Sequence, residues 1–168
     1  PFIGPNCYGF ANFFDRVALW PDQVTGSQLE RGVAFIAQSG TISISMMSQR
    51  RSLPLGYVIS LGNQQRLAAE DLIRYCAEDE RVSAIGLYLE GILDLPKFIA
   101  AIDYARTLGK PIALIKAGSS EKGRSAANTH TGALTGSDSL HDALFERLGI
   151  ARCETLSSLV ETLKLLHC

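Results

Sequence analysis

An α/β fold built on a doubly wound, five-stranded parallel sheet is what this sequence predicts, and two observations carry the prediction. From residue 32 onward, short continuous apolar runs recur between clusters of turn residues, the pattern of strands covered on both faces. The segments between those runs space their apolar residues at a helical period, and strands that alternate with helices pair in parallel through crossover connections.

The first strand is 33-VAFIA-37, followed by 57-YVISL-61, 82-VSAIGLYL-89, 112-IALI-115 and a weaker run, 149-GIARC-153. A helix is expected directly after the first strand, where Ser39, Gly40 and Thr41 open the segment. Leu72, Ile73 and Cys76 share one face of the next helix. Pro96 suits the first turn of a third, striped by Phe98, Ile99, Ile102 and Ala105. Leu140, Ala143, Leu144 and Leu148 stripe a fourth, with Ser137 or Asp138 as its cap, and Leu159, Val160, Leu163 and Leu166 a fifth. This rhythm over residues 31–168 matches a flavodoxin-like domain. Residues 1–30, rich in proline and glycine at 1-PFIGPNCYGF-10 and turn-forming at 21-PDQVTGSQ-28, are expected to form an irregular arm or linker.

The totals narrow the function. The chain has 168 residues, 46% apolar and 20% charged, with a net charge of −1. That is a soluble globular composition with no electrostatic case for nucleic acid or an anionic membrane. No apolar run approaches the roughly 20 residues of a membrane helix. Cys7, Cys76, Cys153 and Cys168 are dispersed without a CxxC pair, which reads as reduced packing thiols and a cytoplasmic location. Because the chain opens at Pro1, it is expected to be a piece of a longer protein.

In an open parallel sheet the ligand sits beyond the carboxyl ends of the strands, where strand order reverses. Three loops converge there. After the first strand, 37-AQSGTISIS-45 starts a helix whose free amides suit an anion; the same residues suit an ordinary cap. After the third strand comes Glu90, a carboxylate that orients an imidazole, holds a cation or is simply solvated. After the fourth, no element is evident from Lys116 to Ser137, and loops beyond about 12–15 residues are usually functional or disordered. Within it, 127-ANTHTGALTGSD-138 surrounds His130 with small residues. A metal there lacks a second ligand at suitable spacing, and no G-x-S-x-G elbow supports a serine hydrolase. His141 and His167 fall in predicted helices and receive no role.

Taken in order, GPNCYG, IAQSGTISIS, YVISLGN, LYLEGI, KPIALIKAGSS and THTGALTGSD resemble the nucleoside-diphosphate-forming acyl-CoA synthetases. That family includes the ADP-forming acetyl-CoA synthetases and, more distantly, the α-subunit of succinyl-CoA synthetase. The resemblance implies that His130, in a loop with Thr131 and Gly132, carries a phosphoryl group. It further implies that Glu90 steadies the imidazole and that Ser39, Gly40 and Thr41 hold phosphate. The implied overall reaction is acyl-CoA + ADP + phosphate ⇌ carboxylic acid + CoA + ATP, through acyl phosphate and phosphohistidine. CoA, ATP/ADP and Mg²⁺ belong to the intact enzyme, with none tightly held by this domain and no metal site in it. The implied partners are a CoA-binding nucleotide-fold domain, which the arm would leave, an ATP-grasp domain or subunit, and a second copy in a homodimer. The isolated piece is expected to be inactive.

One stretch departs from the family pattern. The run 62-GNQQRLAAED-71 places Arg66 and Ala68 where relatives carry acids. The rival reading is a regulatory acyl-CoA-binding domain of the kind fused to acetyltransferases, which has lost the histidine; retention of His130 and Glu90 argues against it. A flavin site finds few aromatic residues near the converging loops.

Overall fold

The computed structural model describes residues 1–118 and 138–168. Among the described residues, seven strands and five helices follow one another along the chain, alternating from the third strand onward. They are β1 (Gly9–Asn12), β2 (Val17–Leu19), β3 (Gly32–Ala37), α1 (Gly40–Ser48), β4 (Leu55–Ser60), α2 (Ala69–Glu78), β5 (Val82–Leu89) and α3 (Leu95–Thr107). Beyond them come β6 (Ile112–Lys116), α4 (Asp138–Arg147), β7 (Ala151–Arg152) and α5 (Leu156–His167). No described helix is long and apolar enough to cross a membrane.

All five expected strands are present, and every pair among them is parallel, in the order β4-β3-β5-β6-β7. Numbered among themselves that is 2-1-3-4-5, with its reversal between β3 and β5. The sheet nevertheless has seven strands rather than five. Part of the arm, expected to be irregular, forms a hairpin, and β1 pairs antiparallel with the outer edge of β4, from Gly9 opposite Ser60 to Asn12 opposite Tyr57. The physical reason lies in β4, whose outer backbone groups need partners that β1 supplies. Strands of four and three residues carry too little alternation to be seen in sequence.

The central strands bury both faces. Ala34 and Ile36 of β3 join one apolar cluster with Ile73 of α2, Phe98 of α3 and Phe145 of α4. Val33, Phe35 and Ala37 join the other, with Met46 of α1 and Leu159 and Leu163 of α5. Each large side chain sealed this way contributes about 1.5–3 kcal/mol of transfer free energy. The helices present the expected stripes with one rotation. In α4, Leu140 is 68% exposed and Ala143 is exposed too, while Phe145 is 1% exposed, so its inward face is Leu144 and Phe145, continued by Leu148 just past its end. All four cysteines are free, with Cys76 and Cys153 buried.

The hairpin is clasped to the sheet at its turn. Arg81 donates to Asp15 at 2.8 and 3.1 Å and to Asp79 at 2.8 Å, and its guanidinium lies 4.6 Å from the centre of the Phe14 ring. The Tyr57 hydroxyl donates to the same Asp79 carboxylate at 2.8 Å. Arg81 above all, and Tyr57 after it, hold the Asp79 carboxyl down at about 2, below its ordinary 3.8. A carboxyl depressed in the folded state contributes stability above its unfolded pKa and loses it as pH falls through the folded value. The clasp should therefore weaken between about pH 4 and pH 2. Thermal midpoints measured at pH 5 and pH 2 should differ less in Arg81→Ala than in the wild type. Equal differences would place the acid sensitivity elsewhere.

Candidate functional site

β3 ends in Ala37 and is followed by Gln38, a buried carboxamide at 6% exposure. Its Oε1 accepts from the backbone N–H of Glu90 and, at 3.0 Å, from that of Gly91, while its Nε2 donates to the Gly91 carbonyl at 2.7 Å. From the other side, the Lys116 ammonium at the end of β6 donates to the Glu90 carbonyl at 2.7 Å and to the Ala117 carbonyl at 2.8 Å. Both backbone polar groups of Glu90 are thus held by side chains from the two flanking strands. An irregular peptide in a sheet crevice must satisfy its groups in some such way.

Ser39 caps α1, accepting from the Ile42 amide at 3.4 Å, and its carbonyl accepts from Ser43 at 3.1 Å. The next amides, of Gly40 and Thr41, have no acceptor within the helix, as at any helix start. The first turn of α1 carries no acidic residue, so nothing there offsets the positive end of the helix dipole. Gly40 has a further reason to lack a side chain. A Cβ would lie 2.2 Å from Cδ2 of Tyr8, whose ring sits 5.5 Å from that of Trp20.

The arm supplies the third wall. Pro5 accepts from the Asn63 amide at 2.9 Å, Gly4 from Gln65 at 3.1 Å and Phe2 from Leu67 at 3.3 Å, while the Tyr8 amide donates to Ser60 Oγ at 3.1 Å. GPNCYG and SLGN, far apart in sequence, are therefore one structure. Asn6, Cys7 and Tyr8 of the arm, Gln38 to Thr41, Gly62 and Asn63, and Glu90 enclose a cavity of about 280 Å³. A second hollow of about 180 Å³, lined by Phe13, Met47 and Leu55 among others, lies at the amino end of β4, away from the strand ends where ligands bind.

The run that departs from the family pattern shows a local substitution. Ala68 occupies the cap position of α2 without a capping side chain. Gln64, buried and with φ of 54°, accepts from the Ala69 amide at 2.9 Å, and Asp71 accepts from the Ala68 amide at 2.9 Å. The helix start that Ala68 cannot cap is satisfied by neighbours on either side.

Of the expected site residues, Ser39, Gly40, Thr41 and Glu90 meet at the one cavity. His130, Thr131 and Gly132 lie outside the described residues. The chain approaches that segment at Ala117, whose amide donates to the Leu89 carbonyl at 2.8 Å beside Glu90. It resumes at Asp138, whose carboxylate accepts from Arg152 at 2.6 Å. Sequence reasoning does not mark Gln38, Lys116 or the arm residues as parts of the site. The signal for the first two is a lone polar residue ending an apolar strand at the carboxyl edge. Among the described residues no group of three or more His, Cys, Asp or Glu side chains is placed to hold a metal ion.

Comparison with known proteins gives the family and the fold. The chain is 35% identical over 165 residues to the acetate–CoA ligase [ADP-forming] I of Archaeoglobus fulgidus, covering 95% of this chain and 23% of that protein. It is 36% identical over 160 residues to the acetate–CoA ligase [ADP-forming] II subunit alpha of Pyrococcus furiosus, covering 94% and 34%. Among solved structures it superposes with a TM-score of 0.87 and 31% identity on a "dinucleotide forming Acetyl-coenzyme A synthetase 1" of Ca. Korarchaeum cryptofilum in complex with phosphate and ADP, covering 98% of this chain and 36% of that one. The chain thus spans about a quarter to a third of the proteins it matches. A family model described as "Succinyl-CoA ligase like flavodoxin domain" matches residues 30–166, and the chain belongs to that family.

Proposed function

We propose that this chain is the phosphoryl-carrier domain of an ADP-forming acyl-CoA synthetase, with His130 as the residue phosphorylated. The observation that carries this reading is the cavity at the reversal of strand order. There a helix start free of acidic residues lines the same 280 Å³ space as Glu90. Anion-binding amides beside an acid able to orient an imidazole are what a phosphohistidine requires.

In the proposed half-reaction, one ring nitrogen of His130 attacks the phosphorus of an acyl phosphate. The P–O bond to the acyl group breaks, and the carboxylate leaves with the bonding pair. Glu90 accepts a hydrogen bond from the other ring nitrogen, fixing the tautomer and stabilising the positive charge that develops on the ring. The amides at Gly40 and Thr41 face the transferred oxygens. In the second half-reaction the β-phosphate of ADP takes the phosphoryl group and restores the free histidine. CoA, the nucleotide and its Mg²⁺ are assigned to domains or subunits beyond this chain, consistent with the share of its relatives that it spans. A CoA-binding nucleotide-fold domain leading into the arm, an ATP-grasp partner and a homodimer complete the proposed assembly.

The test uses the full-length protein with γ-labelled ATP and Mg²⁺. Wild type should retain phosphate that is acid-labile, alkali-stable and discharged by CoA plus a carboxylic acid. His130→Asn should retain none, and Glu90→Gln should fall by about tenfold or more. A folded, ATP-binding wild type that takes no label would overturn the reading and leave a regulatory acyl-CoA-binding domain in its place.

A further inference from the structure

Lys116 is 6% exposed, and its ammonium rests on two carbonyl oxygens, those of Glu90 and Ala117. Among the described residues no carboxylate lies within ion-pair distance of it. Asp138 and Glu90 act on it from farther away, opposed by Arg152. Burial is the main influence and pulls its pKa below the usual lysine range. An ammonium taken from water and set against neutral acceptors costs stability. A methionine of similar length would fill the same space without that cost. The placement becomes favourable where a negative charge arrives, and the carbonyl it grips belongs to the residue that lines the cavity beside α1.

We propose that Lys116 is the positioning and charge-balancing residue of the phosphoryl site. It fixes the Glu90 turn through the Glu90 carbonyl and supplies the positive charge that offsets a bound phosphate or phosphoryl group. It does this from behind the cavity wall, without touching the phosphorus. The inference rests on the phosphoryl-carrier reading of the cavity.

The experiment compares wild type, Lys116→Met and Lys116→Arg in the full-length protein. Two midpoints are read by thermal shift, one for inorganic phosphate and one for CoA, together with the amount of acid-labile phosphoenzyme. Removing the positive charge that sits behind the Glu90 wall of the cavity should raise the phosphate midpoint about ten- to thirtyfold in Lys116→Met and lower phosphoenzyme in proportion. The CoA midpoint should stay at its wild-type value. Lys116→Arg, which keeps the charge, should recover most of the phosphate affinity. Lys116→Met with wild-type phosphate affinity and labelling would overturn the proposal. So would equal losses for phosphate and CoA in both variants, or a methionine variant that fails to fold beside an arginine variant that folds but has its phosphate midpoint raised about tenfold or more. An unlabelled wild type would bring down the carrier reading itself, an outcome visible before any lysine variant is compared.

Discussion

Gln38→Leu should disable phosphoenzyme formation while leaving the core packed. Leucine has nearly the volume of glutamine, so the substitution removes hydrogen bonds rather than contacts. The amides of Glu90 and Gly91 lose their acceptor, and the Gly91 carbonyl loses its donor. Each buried polar group left unpaired costs about 1–3 kcal/mol. The turn can recover part of that by shifting toward water, so a net loss of about 2–4 kcal/mol is expected in thermal or denaturant unfolding. The shift is what matters for function. Glu90 would leave its register with α1, and because misplacing a positioned group lowers the rate steeply, labelling should fall toward the level of Glu90→Gln. Gln38→Glu is the informative companion. It keeps the acceptor for both amides but turns a carboxylate toward the Gly91 carbonyl, and should fall between wild type and Gln38→Leu. Labelling of Gln38→Leu at the wild-type rate would mean that Glu90 is positioned by Lys116 and its own turn alone.

The second large effect is expected at Gly62. Its φ is +59°, and a Cβ there would stand 2.3 Å from the Pro5 carbonyl oxygen and 2.4 Å from that of Asn6. Those are backbone atoms on the far side of a hydrogen-bonded zipper, so neither can step aside alone. Gly62→Ala should lift the arm from the loop after β4 and open the cavity wall formed by Asn6, Cys7 and Tyr8. Gly109 provides the comparison, since its φ is +68° and nothing lies within 4 Å of a Cβ. Gly109→Ala should cost only the conformational penalty of about 1 kcal/mol. Gly62→Ala should cost about 2–4 kcal/mol, and amide exchange at Asn63 and Gln65 should rise steeply. Equal destabilisation of the two variants would show that the arm does not bear on Gly62.

Much of this arrangement is legible in the sequence alone. The apolar runs ending at Ala37 and Leu89 read as central strands because burial on both faces leaves continuous apolar sequence. Strand order then brings Ser39 and Glu90 to one crevice, since the loops flanking the reversal must meet there. The hairpin is not legible. Gly9–Asn12 has no strand signature of its own and becomes β1 because β4 presents an edge to it. Spacing wrongly assigns Leu140 to the core, because a helical period gives the width of a stripe without saying which stripe turns inward. Gln38 and Lys116 look in sequence like the polar flanks of strands. Their importance comes from groups 53 and 26 positions away along the chain.

Sequence by itself therefore determined the class of fold, the parallel order and the family, because periodicity and motif spacing are local records of burial and backbone need. It also set glycines at 40 and 62 within those motifs, without indicating what they face. Only the tertiary structure decided that Gly40 makes room for Tyr8, that the arm closes the cavity, and that Glu90 hangs between Gln38 and Lys116. Those contacts join segments that share no local pattern. They exist because folding leaves buried backbone groups that must be paired, and the nearest capable side chain answers regardless of its place in the chain.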